Sequence, residues 1–169
     1  MELCNPPSFH ILSVHEKAEV RENITNGQKG LFSKTFHSPG DIIVDFSAST
    51  IAAQPTYLTL QIGLRKHITL QPEYLQYVNH SCDPNVFFDT NKMQLIAIKK
   101  INAGDELVFF YPSAEWRMSR AFTCCCGSPA CLGVIGGAAL LTQEVLNKYR
   151  LTDFIQQQLN KKATRKKIA

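Results

Sequence analysis

The sequence lacks any run approaching the ~18 apolar residues that a membrane-crossing helix needs. Its longest weakly polar stretch, VIGGAALL at 134–141, is too short and too rich in glycine. The start, MELCNPPSFH, has no basic segment followed by an apolar one, so no secretory leader is expected. There is no internal repeat and no low-complexity linker. These absences point to an intracellular protein without a membrane partner, in a compartment where thiols stay reduced. Disulfides are therefore disfavoured for its 6 cysteines, and a metal is favoured.

Acid is missing from the end of the chain. Residues 161–169, KKATRKKIA, carry five basic side chains and no acidic one. The chain as a whole has 18 Lys and Arg against 14 Asp and Glu, so the rest is near neutral. A near-neutral body offers no broad nucleic-acid face. Nucleic acid could be met only through the basic tail, which reads as a solvated terminus.

What is present fits one globular domain with a small appendage: 169 residues, 44% hydrophobic and 19% charged. Strand signals dominate. FHILSV (9–14), KGLFSKTF (29–36), DIIVDFSAS (41–49), TYLTLQIG (56–63) and HITL (67–70) read as short strands separated by turn residues. In the third of these, alternation puts Ile42, Val44 and Phe46 on one face. Pro72 opens a short helix or turn. NVFFD (85–89) and MQLIAIKKI (93–101) form a hairpin across Thr90-Asn91-Lys92, and NAGDELVFFY (102–111) is a turn and a further strand. Two short terminal helices follow, capped by Thr142 and Thr152. The expected class is mainly β, a β-rich α+β fold.

The segment AFTCCCGSPACLG (121–133) holds four cysteines in eight positions. Cys124, Cys126 and Cys131 are spaced C-x-C-x4-C. In an extended segment residues two apart point the same way, so Cys124 and Cys126 converge while Cys125 points elsewhere. Gly127, Ser128 and Pro129 turn the chain and return Cys131. Three thiolates on one loop make most of a tetrahedral zinc site. The fourth ligand is open at this level: Cys4, Cys82 or a histidine.

A second stretch, YVNHSCDPNVFF (77–88), reads on its own as a turn with a lone histidine, His80. However, NHSCDPN followed by AGDELVFFY and then C-x-C-x4-C resembles the SET-domain family of protein-lysine methyltransferases with their cysteine-rich post-SET segment. GQKGLFSKTFHSPGDII (27–43) resembles the family's G-x-G turn and following strand, with Gln28 at the first glycine. The family's upstream tyrosine motif has no clear counterpart, and Phe110 stands where an aspartate is common. The resemblance implies a SET-type fold of several short sheets with a knot-like C-terminal threading. It assigns 9–115 to the SET domain, 116–137 to a zinc-stapled post-SET segment, and 138–169 to terminal helices and the basic tail.

The resemblance also implies a function. S-adenosylmethionine would donate methyl groups to a lysine ε-amine of a protein or peptide substrate. Lys29, Gly30, Leu31, Phe32, Asn79, His80 and Tyr111 would line the cofactor site, largely through backbone. Tyr111 would be the catalytic tyrosine, with Phe109 and Tyr77 in the substrate channel. Cys82 would join Cys124, Cys126 and Cys131 on one structural Zn2+. The alternative is an inactive, zinc-stapled module of the same fold that binds a peptide or protein without turnover.

The amine must be neutral to react. With a pKa of ~10.4, only about one lysine in 2,500 is neutral at pH 7. A narrow apolar channel and a nearby sulfonium both disfavour the ammonium. A tyrosine with a pKa of ~10 orients better than it deprotonates, so the proton is expected to leave to water. A phenylalanine at 109 leaves apolar space beside the amine, so the expected product is di- or trimethyl-lysine.

Overall fold

The computed structural model describes the backbone of residues 8–168 and the side chains of 8–164. Cys4 and the last basic side chains of the tail lie outside the described residues.

The fold is built of short strands in five small sheets. β1 (Phe9–Val14), β2 (Ala18–Asn23) and β3 (Lys29–Ser33) form an antiparallel sheet in that order. β4 (Ile42–Asp45) pairs with β10 (Gln94–Ala97), which pairs with β9 (Val86–Asp89). β5 (Ser47–Ala52), β6 (Thr59–Gly63) and β7 (Lys66–Gln71) form a third sheet with β7 in the middle. β8 (Asn79–His80) runs parallel to β11 (Val108–Phe109), and β12 (Phe122–Thr123) pairs with β13 (Val134–Ile135). A one-turn helix, α1 (Gln143–Leu146), and a longer one, α2 (Asp153–Ile168), close the chain. No helix among the described residues is long and apolar enough to cross a membrane.

Two details depart from the sequence pattern. β2 was hidden by charge: AEVREN buries Ala18 and Val20 on one face, and on the other Glu19 is covered as well, paired with Arg21 at 2.7 Å. In β4 the expected face is wrong. The ladder to β10 skips Ile43, which is buried, while Ile42 is 46% exposed. A bulge of this kind breaks strict alternation. Phe46 is still buried; it lies between β4 and β5, which belong to different sheets, and its N–H donates to the Met93 carbonyl.

The main core joins all three larger sheets through residues such as Leu31, Ile68, Phe88, Leu95 and Leu107. A second cluster, around Phe110, Leu146, Phe154 and Ile155, fastens the terminal helices to the body. Both expected caps are made: the Thr142 and Thr152 hydroxyls accept from the N–H groups of Val145 and Ile155. A third, smaller cluster surrounds four cysteines.

Candidate active site and metal centre

The NHSCDPN segment and the end of the ELVFFY segment are laid side by side by the β8–β11 pairing, with Asn79 opposite Val108 and His80 opposite Phe109. The Ser81 and Asn85 N–H groups donate to the carbonyls of Phe109 and Val108. The Asn85 side chain completes the join, donating to the Glu106 carbonyl and accepting from the Val108 N–H. Two stretches about thirty residues apart thus satisfy one another's backbone.

Alternation along residues 109–111 then sorts the aromatics. Phe109 and Tyr111 share a face, with ring centroids 4.7 Å apart. Phe110 points the opposite way into the helix-bound cluster. The aspartate-for-phenylalanine difference at this position therefore has a local cause: here the side chain belongs to a second hydrophobic core.

Phe109 and Tyr111 line a cleft of about 500 Å3, together with Lys29, Tyr77, Asn79 and Glu115. This is within the usual range for a small-molecule site. The Tyr111 hydroxyl reaches the Val78 carbonyl at 3.4 Å, and burial, then the carboxylates of Glu106 and Glu115, push its pKa up to about 12. The phenol is protonated at any neutral pH.

Asn79 donates to the Lys29 carbonyl and to Glu106 Oε1, both at 2.8 Å. Gly30 is necessary for this contact. A Cβ there would lie 2.6 Å from Glu106 Oε1 and 3.2 Å from Asn79 Nδ2. Of the residues that the resemblance assigns to the cofactor, Lys29, Asn79 and Tyr111 line the cleft, whereas Gly30, Leu31, Phe32 and His80 lie behind or beside it. Leu31 is in the main core, and Phe32 is buried under Phe9 and the Arg21 guanidinium.

His80 sits at the junction of the cleft and the cysteines. Its ring packs within 6 Å of the rings of Phe110, Tyr111 and Phe122. Burial lowers its pKa to about 4, so it is neutral. The Tyr111 N–H donates to Nδ1, which leaves the proton on Nε2, 3.4 Å from the Cys82 sulfur. The imidazole thus links the Tyr111 backbone to Cys82, whose thiol is pushed up chiefly by burial.

The four sulfurs of Cys82, Cys124, Cys126 and Cys131 all lie within 4.8 Å of one another, and Cys125 is exposed. Zn–S bonds of ~2.3 Å place tetrahedral thiolates roughly 3.8 Å apart, so the cluster needs to contract by only about 1 Å. Burial opposes ionisation of Cys126. Hydrogen bonds from the backbone at Cys82 and Ser128 and from the neighbouring Cys124 and Cys131 thiols outweigh it and pull its pKa down. Cys124 is pushed up, chiefly by burial. The set favours a thiolate-rich ion site: four soft ligands, no histidine, two of the cysteines buried.

Two acids escaped the sequence reading. Glu106 supports Asn79, and burial raises its carboxyl despite that bond. Glu115 is buried at 6% exposure and still lines the cleft. The only signal for the second was an acid inside the otherwise apolar run FFYPSAEW.

The sequence model of the SET domain matches residues 15–112, more than half of the chain. Over 119 residues the chain is 37% identical to methyltransferase flvH of Aspergillus flavus, covering 69% of this chain and 66% of that protein. It is 30% identical over 108 residues to the H3 lysine-36 specific histone-lysine N-methyltransferase of Saccharomyces cerevisiae, covering 57% of this chain and 15% of that one. It is 37% identical over 68 residues to histone-lysine N-methyltransferase ash1 of Drosophila melanogaster, covering 37% of this chain and 3% of that one. The chain therefore spans just under two thirds of the first relative and a small part of the other two.

Proposed function

The chain belongs to the SET-domain family, and from that premise we propose that it is a protein-lysine N-methyltransferase using S-adenosylmethionine. The observation that carries this reading is a single cleft lined by Phe109, Tyr111 and Tyr77 together with Lys29 and Asn79. The cofactor's contribution, when bound, is an electrophilic methyl group on a sulfonium. Lys29, Gly30, Asn79 and His80 would hold it, with Gly30 keeping the β3 backbone close to Asn79 and Glu106. Phe109 and Tyr111 would flank the target amine. Their rings exclude water, which disfavours the ammonium. The Tyr111 phenol, protonated at neutral pH, would orient the amine by hydrogen bonding rather than remove its proton.

Cys82, Cys124, Cys126 and Cys131 would hold a structural zinc. Four thiolates leave no open coordination position, so the ion would activate no water. Its effect would be architectural: Cys82 comes from the NHSC segment and the other three from the loop after the cleft. Joining them would hold the Met118–Phe122 wall against His80 and Tyr111.

The expected product is di- or trimethyl-lysine, and the expected substrate is a protein, with histones the first class to test because relatives carry that name. The nucleus is accordingly the compartment to examine. Incubation with labelled S-adenosylmethionine, core histones and a protein array should transfer label to lysine. Tyr111→Phe should lower transfer at least tenfold while leaving cofactor affinity within a few-fold. Absence of S-adenosylmethionine binding by calorimetry would favour the non-catalytic peptide-binding alternative.

A further inference from the structure

We propose that Glu115 is the proton acceptor for the amine that enters the cleft, an inference that rests on the lysine-methyltransferase reading above. Glu115 follows Tyr111 by one turn, and its N–H donates to the Tyr111 carbonyl at 2.9 Å. Its side chain is held by a single bond: Oε1 accepts from the Gln61 N–H at 2.8 Å. Gln61 is itself fixed, accepting from the Trp116 N–H and donating to the Gly63 carbonyl. Oε2 has no hydrogen-bond partner among the described residues and is not one of the fully buried polar atoms, so it keeps some access to the cleft. A buried carboxylate with a committed oxygen and a spare one, lining the same cleft as Phe109 and Tyr111, is placed to receive a donor.

The energetics suit a proton transfer. An ammonium and a carboxylate in water differ by about six pKa units in the wrong direction. Desolvation raises the carboxyl and lowers the ammonium, so both shifts close the gap. Burial, only partly relieved by the Gln61 N–H, lifts the Glu115 carboxyl to about 7. The other ionisable groups lining the cleft are Lys29, Tyr57, Tyr77, Tyr111 and Arg120, and none of them is a cause of that shift.

The step balances simply. An N–H bond of the ammonium breaks and an O–H bond forms on Glu115. The freed nitrogen pair then forms the N–CH3 bond as the S–CH3 bond of the sulfonium donor breaks, its electron pair staying on sulfur. The product is a methylammonium and a neutral thioether, and Glu115 returns its proton to solvent. For a second transfer the methylammonium gives its proton to the same oxygen.

The test uses the full chain, a lysine-centred peptide library and Glu115→Gln, which keeps the Oε1 acceptor for Gln61. With the best peptide, Glu115→Gln should lower kcat by about 10²-fold or more and flatten the acid limb of the pH–rate profile. Glu115→Asp should restore part of the rate. Calorimetry should show unchanged S-adenosylmethionine affinity in Glu115→Gln, with weakened binding of the lysine peptide but not of its norleucine counterpart. Wild-type turnover with an unchanged rate and pH profile in Glu115→Gln overturns this inference alone. No wild-type turnover on any peptide overturns the methyl-transfer reading, and the inference with it.

Discussion

The rings of Phe110 and Tyr149 stack face to face, with centroids 3.7 Å apart and planes 9° from parallel. The Tyr149 hydroxyl then donates to the Cys82 carbonyl at 2.9 Å. One side chain from the terminal segment thus grips the strand end beside Tyr111 on one side and the backbone of a clustered cysteine on the other. Tyr149→Phe keeps the stack and loses the hydrogen bond, at about 1 kcal/mol. Tyr149→Ala loses both, at about 3 kcal/mol. Urea denaturation checks the order; Tyr149→Phe as stable as wild type would remove the hydroxyl's role, and Tyr149→Ala as stable as Tyr149→Phe would remove the ring's.

Cys126→Ser removes the thiol with the most depressed pKa of the cluster. It should abolish stoichiometric zinc by elemental analysis and lower stability by several kcal/mol, about 10 °C in Tm. Because the loop forms one wall of the cleft, S-adenosylmethionine affinity should fall as well. A zinc-free variant with wild-type Tm would remove the metal's structural role.

Gly30→Ala forces a Cβ to 2.6 Å from Glu106 Oε1. Relieving that overlap must displace either the carboxylate or β3, at about 1–3 kcal/mol. Cofactor affinity measured by calorimetry should drop more than tenfold, because Asn79 loses its Glu106 anchor. Affinity equal to wild type would show that this corner is remote from the cofactor.

Phe109→Tyr adds a hydroxyl beside Tyr111, where the ring now packs at 4.7 Å. Mass spectrometry should show the product shifting toward monomethyl-lysine. An unchanged distribution would separate residue 109 from product control.

Glu115 also makes a prediction independent of turnover. Its carboxyl is raised from 4.5 to about 7 in the folded state. Between those values the native state holds a proton that the unfolded state has lost, so stability falls as pH rises through that window. The loss approaches about 3 kcal/mol as an upper bound. Comparing denaturation at pH 5 and pH 8, Glu115→Gln should show a smaller drop than wild type. Parallel profiles would mean that Glu115 ionises normally.

The chain order of NHSCDPN, AGDELVFFY and C-x-C-x4-C was enough to indicate the fold class, the family resemblance and a four-cysteine cluster including Cys82. Short-range spacing carries the local part: alternation at 109–111, the two-residue step from Cys124 to Cys126, the turn at Gly127; Cys82 as the fourth cysteine came from the family resemblance alone. Tertiary structure decided what spacing cannot encode. Ile43 replaced Ile42 in the core because the β4–β10 ladder carries a bulge. Glu115 became a buried acid because a strand more than fifty residues away brings the Gln61 N–H to it. His80 became a neutral link between the Tyr111 backbone and a sulfur because parallel β8–β11 pairing sets them together. Spacing reports which residues share a face, whereas desolvation and hydrogen-bond partners depend on what the rest of the chain packs against that face.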